Sequence, residues 1–259
     1  MENNEKFTQW KETQEHWDDT QFLLKEANAL MRRRWERLNL MAVKTTGEEV
    51  VKRNEYVHFL DIGCGRGDFY RHVSEMVKKY RGIEPSSGML KDEINDEELV
   101  ITRGTGEDFE EKSGYDVCLI KEVLDHTYDP EKVIKNAYEA LREGGLIIIT
   151  LTNRESYYKL IFRKKAAELE KKHADHLHNF THRDITGMLE KAGFKVESDI
   201  SYNYLRLPRF MEEAIGRLPA GIVFGILDFS DALLSRLMPK RGGSLYITAR
   251  KGAVPGGLG

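Results

Sequence analysis

Cysteine is scarce in this sequence of 259 residues: only Cys64 and Cys118 occur, both within apolar or glycine-rich runs. That excludes a disulfide-stapled secreted scaffold and suits a reducing compartment. Long apolar stretches are missing as well. The longest apolar or glycine run of the second half, residues 220–227, falls far short of the ~20 residues of a membrane-spanning helix. The opening residues carry neither the basic start nor the apolar stretch of a signal peptide. An excess of positive charge is also absent. Lys+Arg 40 against Asp+Glu 43 leaves a net charge of −3, so no chain-wide basic field exists to grip nucleic acid. Internal repeats are not found. These absences point to a cytoplasmic protein with no membrane span and no nucleic-acid partner.

What is present is an alternation of strands and helices, the pattern of a parallel α/β sheet. Helical spacing runs over residues 7–43, with Phe7, Trp10, Trp17, Leu24, Leu30, Trp35, Leu38 and Met41 among charged partners, and Gly47 marks a break. Strands are expected at 56–62, 80–84, 99–102, 116–120, 146–151, 194–197 and 244–250. Helices are expected at 69–79, from 86, at 130–142 and at 183–192. Asp129 is the N-cap of the 130–142 helix, with Pro130 at its first position, and Gly193 closes the last. Residues 163–172 carry mixed charge and read as a solvated face. Residues 205–238 are apolar and partly helical, interrupted by Pro208 and Pro219. The division is a helical cap (1–55), a core (56–200), a helical insertion (201–242), a last strand (243–251) and a Gly/Pro-rich disordered tail (252–259).

The chemistry concentrates in residues 60–68, LDIGCGRGD, between a strand and a helix. Glycines there let the backbone turn sharply against a ligand, while the helix start offers unpaired N–H groups. Glu84 ends the next strand, about 20 residues on, where an acid grips ribose hydroxyls. A dinucleotide loop wants glycine where this chain has Asp68. Asp61, directly before the glycines, sits badly beside a pyrophosphate and well beside a cationic ligand.

The pattern D-x-G-x-G-x-G resembles the first motif of class I S-adenosylmethionine-dependent methyltransferases. Residues 104–109 (GTGEDF), 115–126 (YDVCLIKEVLDH), 129–145 and 178–194 are similar to later segments of the same superfamily. The resemblance implies a Rossmann-like sheet of seven strands, mostly parallel with the last antiparallel. It implies that S-adenosylmethionine lies against Asp61, Gly63, Cys64, Gly65 and Gly67 of the loop. Glu84 and Pro85 would follow at the second strand, Glu107 or Asp108 at the adenine, and Lys121 after the fourth strand. Many relatives carry an acid where this chain has Thr105.

Methyl transfer is an in-line displacement that needs alignment and dryness more than covalent help. His126, in the loop that faces the reacting methyl in related enzymes, is the candidate base; a purely structural histidine is the alternative. Asp125 and Glu122 could orient it or face solvent. His173, His176, His178 and His182 cluster, but without cysteine or a zinc pattern, so no metal is expected. The Asp/Asn-Pro-Pro-aromatic run of nucleic-acid amino methylation is missing after the fourth strand. Cys118 lies inside a strand and Cys64 inside the cofactor loop, so neither offers an exposed thiol for pyrimidine methylation.

The expected function is methylation of a small organic acceptor, bulky, partly apolar and open to being anionic, with O-methylation preferred. The N-terminal helices and residues 202–238 would form its wall and lid, although the latter segment could equally be a homodimer interface or plain core. Two rivals stand: a non-catalytic cofactor-binding or scaffolding protein, and a nicotinamide-dependent oxidoreductase.

Overall fold

A computed structural model describes residues 2–15, 28–162 and 177–252, with side chains from residue 6. Its helices are α1 (Glu2–Glu15), α2 (Ala29–Arg53), α3 (Tyr70–Val73), α4 (Pro130–Ala140), α5 (Tyr157–Ile161), α6 (His182–Ala192), α7 (Arg209–Gly216) and α8 (Ala220–Leu237). Its strands are β1 (Val57–Ile62), β2 (Val77–Glu84), β3 (Ile94–Asn95), β4 (Leu99–Arg103), β5 (Tyr115–Lys121), β6 (Leu141–Thr152), β7 (Phe194–Tyr202) and β8 (Ser244–Lys251).

The strands form one sheet in the order β3-β4-β2-β1-β5-β6-β8-β7. Pairing is parallel from β4 through β6, and β8 runs antiparallel to both β6 and β7. The two-residue β3 is the one strand beyond the expected seven, an antiparallel edge on β4. β5 is buried along nearly its whole length, as a central parallel strand with helices on both faces must be. On one face Val133, Ile134 and Ala137 of α4 and Ile185 and Leu189 of α6 join the core. On the other, Leu38 and Ala42 of α2 pack with Phe59, Leu119 and Ile148.

Several boundaries differ from expectation. Gly47 does not break α2, which runs on to Arg53 and stops at Asn54 in the left-handed region. A mid-helix glycine costs roughly 1 kcal/mol, and burial of Leu38, Ala42, Thr46 and Glu49 along one stripe outweighs it. The helix expected over 69–79 ends at Val73, and β2 starts at Val77 because Val77 pairs with Val57 of β1. After Ser86 only one turn forms, closed by Leu90 N–H to the Ser86 carbonyl. Pro208 and Pro219 start α7 and α8 rather than interrupting a helix, the position where a missing N–H costs least. The tail beyond Gly252, Trp17 and the charged 163–172 segment lie outside the described residues. Among the described residues no helix is long and apolar enough to cross a membrane.

α7 docks its carboxyl end directly on the start of α2. A Cβ at Gly216 would stand 2.2 Å from the backbone of both Ala29 and Leu30. Gly216→Ala must therefore push two backbones apart. The expected cost is about 1–3 kcal/mol, read as a lowered denaturation midpoint at unchanged slope.

Candidate functional site

β1 delivers Asp61 to the carboxyl edge of the sheet, and the chain then turns through Gly63, Gly65 and Gly67 at φ 75°, 58° and 75°. Only glycine tolerates that run cheaply. Space is short as well: a Cβ at Gly63 would lie 2.2 Å from Val123 Cγ2. The adjacent strand β2 ends in Glu84, whose Oε2 accepts from Gly65 N–H at 2.9 Å and whose Oε1 accepts from Ser86 N–H at 2.9 Å. Burial raises the Glu84 carboxyl, and the two backbone donors oppose the shift. Asp61 is buried and accepts from the Tyr80 hydroxyl. Burial pushes its carboxyl up to about 6, against the pull of the Lys121 charge and that hydrogen bond.

These groups open onto a cavity of about 410 Å³. Asp61, Gly63, Cys64 and Gly65 form one side, and Glu84, Pro85 and Met89 the next. Lys121, Glu122, Val123 and His126 descend from the end of β5, while Gln14 of α1 and Trp35, Leu38 and Asn39 of α2 close the front. Lys121 Nζ donates to Asn39 Oδ1 at 2.9 Å. A second cavity, of about 330 Å³, shares Pro85 and is bounded by Gly104, Thr105, Lys11 and Glu15.

α1 is fastened across the three loops that build this region. Ser87 N–H donates to the Glu15 carbonyl at 2.9 Å, Lys11 pairs with Asp108 at 2.7 Å, and Trp10 Nε1 donates to the His126 carbonyl at 2.9 Å. Phe7 and Trp10 also pack on Tyr128.

Asp61, Gly63, Cys64, Gly65, Glu84, Pro85, Lys121 and His126 thus meet around one cavity. Three other expected site residues do not line either cavity. Gly67 is a packing glycine: a Cβ there would strike Ile101 Cδ1 at 2.2 Å. Glu107 turns to the loop after β5, accepting from Tyr128 N–H at 2.9 Å, and Asp108 is held outside by Lys11. Thr105, not these acids, faces the smaller cavity.

Residues 202–238 line neither cavity. α7 and α8 instead pack on α2, through Ile215 of α7 and Val223 and Leu227 of α8 against Leu30, and leave Phe210 and Phe229 exposed. The front wall belongs to α1 and α2.

Glu122, which the sequence offered only as a group that could orient His126 or face solvent, belongs to the site. It sits in the cavity wall at φ 54° and accepts from Thr150 Oγ1 at 3.1 Å. Burial, helped by the Asp125 charge, pushes its carboxyl up to about 7. Its place directly after β5, at the sheet's carboxyl edge, was the available signal. His182 is structural, its ring bridging Asp199 and Ser201. His173 and His176 lie outside the described residues. Among the described residues no group of three His, Cys, Asp or Glu is placed to hold a metal ion.

Comparison with known proteins finds that residues 17–199 match the family described as "Methyltransferase domain". An uncharacterized protein of Methanocaldococcus jannaschii is 30% identical over 138 residues, 52% of this chain and 63% of that protein. A mitochondrial ubiquinone biosynthesis O-methyltransferase of Candida albicans is 26% identical over 136 residues, 46% of this chain and 42% of the enzyme. This chain therefore spans less than two thirds of the length of either. The solved structure of a SAM-dependent methyltransferase from Archaeoglobus fulgidus superposes with a TM-score of 0.54 at 17% identity, covering 82% of this chain and 94% of that one. At that identity the likeness is one of fold.

Proposed function

The chain belongs to the family of S-adenosylmethionine-dependent methyltransferases, and from that premise we propose that it methylates a hydroxyl of a small, partly apolar organic molecule. The observation that carries the reading is the wall of three carboxylates, Asp61, Glu84 and Glu122, around a glycine-turned loop. Such a field suits a ligand bearing a sulfonium and an ammonium and repels a pyrophosphate. Pro85, with Met89 on one side and Gly104 and Thr105 on the other, leaves room for a flat ring beneath the polar rim of Lys11 and Glu15. The residues present fit the cofactor.

When bound, S-adenosylmethionine supplies a methyl group on a positively charged sulfur. Glu84, tied to the loops after β1 and β2, would hold ribose hydroxyls, while Asp61 and the N–H groups around Gly63–Gly65 would hold the amino-acid end. Trp35, Leu38 and Phe69 offer the acceptor an apolar wall. α1, fastened over the site, would exclude water from a displacement that gains from dryness. Glu122, whose carboxyl burial pushes up to about 7, and His126 stand together in the wall after β5, and we assign them the hydroxyl's proton. Relatives named ubiquinone biosynthesis O-methyltransferases support oxygen as the methylated atom.

The test is to incubate the protein with methyl-labelled S-adenosylmethionine and a panel of phenols and catechols, reading products by mass spectrometry. Label is expected in an aryl methyl ether, with stoichiometric S-adenosylhomocysteine. Label in amines alone would refute the hydroxyl, and cofactor binding without any transfer would leave a binding protein.

A further inference from the structure

We propose that Arg34 and Arg206 form an oxyanion-binding subsite for the acceptor, one helical turn along α2 from the cavity wall. The inference rests on the methyl-transfer reading above and specifies what its acceptor carries.

Arg34 is only 2% exposed. One nitrogen, Nη2, donates to the Leu205 carbonyl at 2.6 Å and to Glu212 Oε1 at 2.7 Å. Its Nε and Nη1 are buried without any acceptor, and so is Nε of Arg206. Native structures rarely leave such donors unpaired, and for a charged group the penalty is larger still. Charge counting sharpens the point. Among the described residues Glu212 is the carboxylate that acts on Arg206, and it is already committed to Arg34 and to Asn28 Nδ2 at 2.6 Å. Two guanidiniums share one acid. Burial and the neighbouring Arg34 charge pull Arg206 down to about 10, the direction expected of a cation short of counter-charge.

Place supports ligand rather than accident. Arg206 follows β7 at the carboxyl edge of the sheet, its guanidinium pressed over Gly243, where a Cβ would stand 2.5 Å from Nη2. Any side chain at 243 would displace it. Arg34 lies on the same face of α2 as Leu38, four residues on, and Leu38 lines the cavity. Neither arginine lines the cavity itself; an acceptor with its hydroxyl beside Glu122 and His126 would reach them with an anionic group extended past Leu38. Guanidinium forks match carboxylate and phosphate oxygens in pairs, so the shared chemistry is an oxyanion.

Binding of 4-hydroxybenzoate, phenyl phosphate and neutral 4-hydroxybenzamide to the protein saturated with S-adenosylhomocysteine tests this, by calorimetry at constant ionic strength. At least one anion should bind roughly 10- to 100-fold more tightly than the amide, and the tighter of the two names the group. Arg206→Met should erase that preference while S-adenosylhomocysteine binds as before; Arg206→Lys, which keeps charge but not the fork, should fall between. Without anion, Arg206→Met should match or exceed the wild-type Tm, because it removes a half-buried cation short of counter-charge. Equal or absent binding of anions and amide overturns the proposal, and so does a lowered Tm, which would make Arg206 a structural partner. Failure of S-adenosylhomocysteine to bind the wild type would instead strike the methyl-transfer reading itself.

Discussion

Replacing Glu84 by alanine should weaken S-adenosylhomocysteine binding by about 1.5–3 kcal/mol, roughly 10- to 150-fold. Two losses combine. Ribose donors would lose a charged acceptor, and the loops on either side would lose a common anchor, since Gly65 N–H and Ser86 N–H both donate to this carboxylate. Glu84→Gln should fall between, because its amide keeps one acceptor oxygen and turns a donor toward a donor. Calorimetric titration of both variants provides the check. Affinity within twofold of wild type would remove Glu84 from the cofactor site.

Glu122→Gln should move rate and stability in opposite directions. If the carboxylate takes the acceptor's proton, kcat should drop roughly 10²- to 10⁴-fold with little change in cofactor affinity. The wild-type rate should climb with pH and level off above about 7, where the Glu122 carboxyl has ionised. The stability sign follows from linkage. Glu122 titrates at about 7 in the folded protein against an ordinary value of 4.5. Between those values the folded chain holds a proton that the unfolded chain has released, so stability falls as pH rises through the window. Glutamine removes that slope. The variant should match the wild type at pH 4.5 and exceed it at pH 8 by on the order of 1–2 kcal/mol, discounted for water reaching the cavity. His126→Ala, measured alongside, apportions the proton. A Glu122→Gln variant within a few-fold of wild-type kcat would leave His126 as the sole acceptor.

The sequence carried the inner strands and the glycine loop well, because there local pattern and tertiary demand agree. β1, β5 and β6 are apolar runs bounded by turn residues, and Asp129 and Gly193 cap their helices as their chemistry requires. It failed where a distant partner decides. β2 begins at Val77, amid a helix-compatible stretch, because β1 offers Val57 as a pairing neighbour. Glu107 and Asp108 sit in a family-like segment, yet whether an acid faces cavity, loop or α1 depends on what packs nearby. The apolar surplus of residues 202–238 was visible, but not which side of it α2 would cover. Glu122 needed only the rule that residues just past a parallel strand face the ligand.

The placement of β8 has a consequence for how the chain comes to its native state. Among the described residues β7 has no strand neighbour except β8, and β8 is slotted between it and β6. Ile149 meets Ile247 across that seam, nearly a hundred residues later in the chain. During synthesis from the N-terminus, β1 through β6 can assemble while β6 keeps a bare edge of unpaired N–H and C=O groups. β7, already made, has nothing to bind. Such an edge invites association with other chains, and a pairing of this sequence separation closes slowly. The last eight residues of the sheet are therefore its keystone: until Ser244–Lys251 arrives, one side of the sheet is a sticky intermediate rather than a finished fold. Premature termination before that strand should yield aggregate, not a smaller domain.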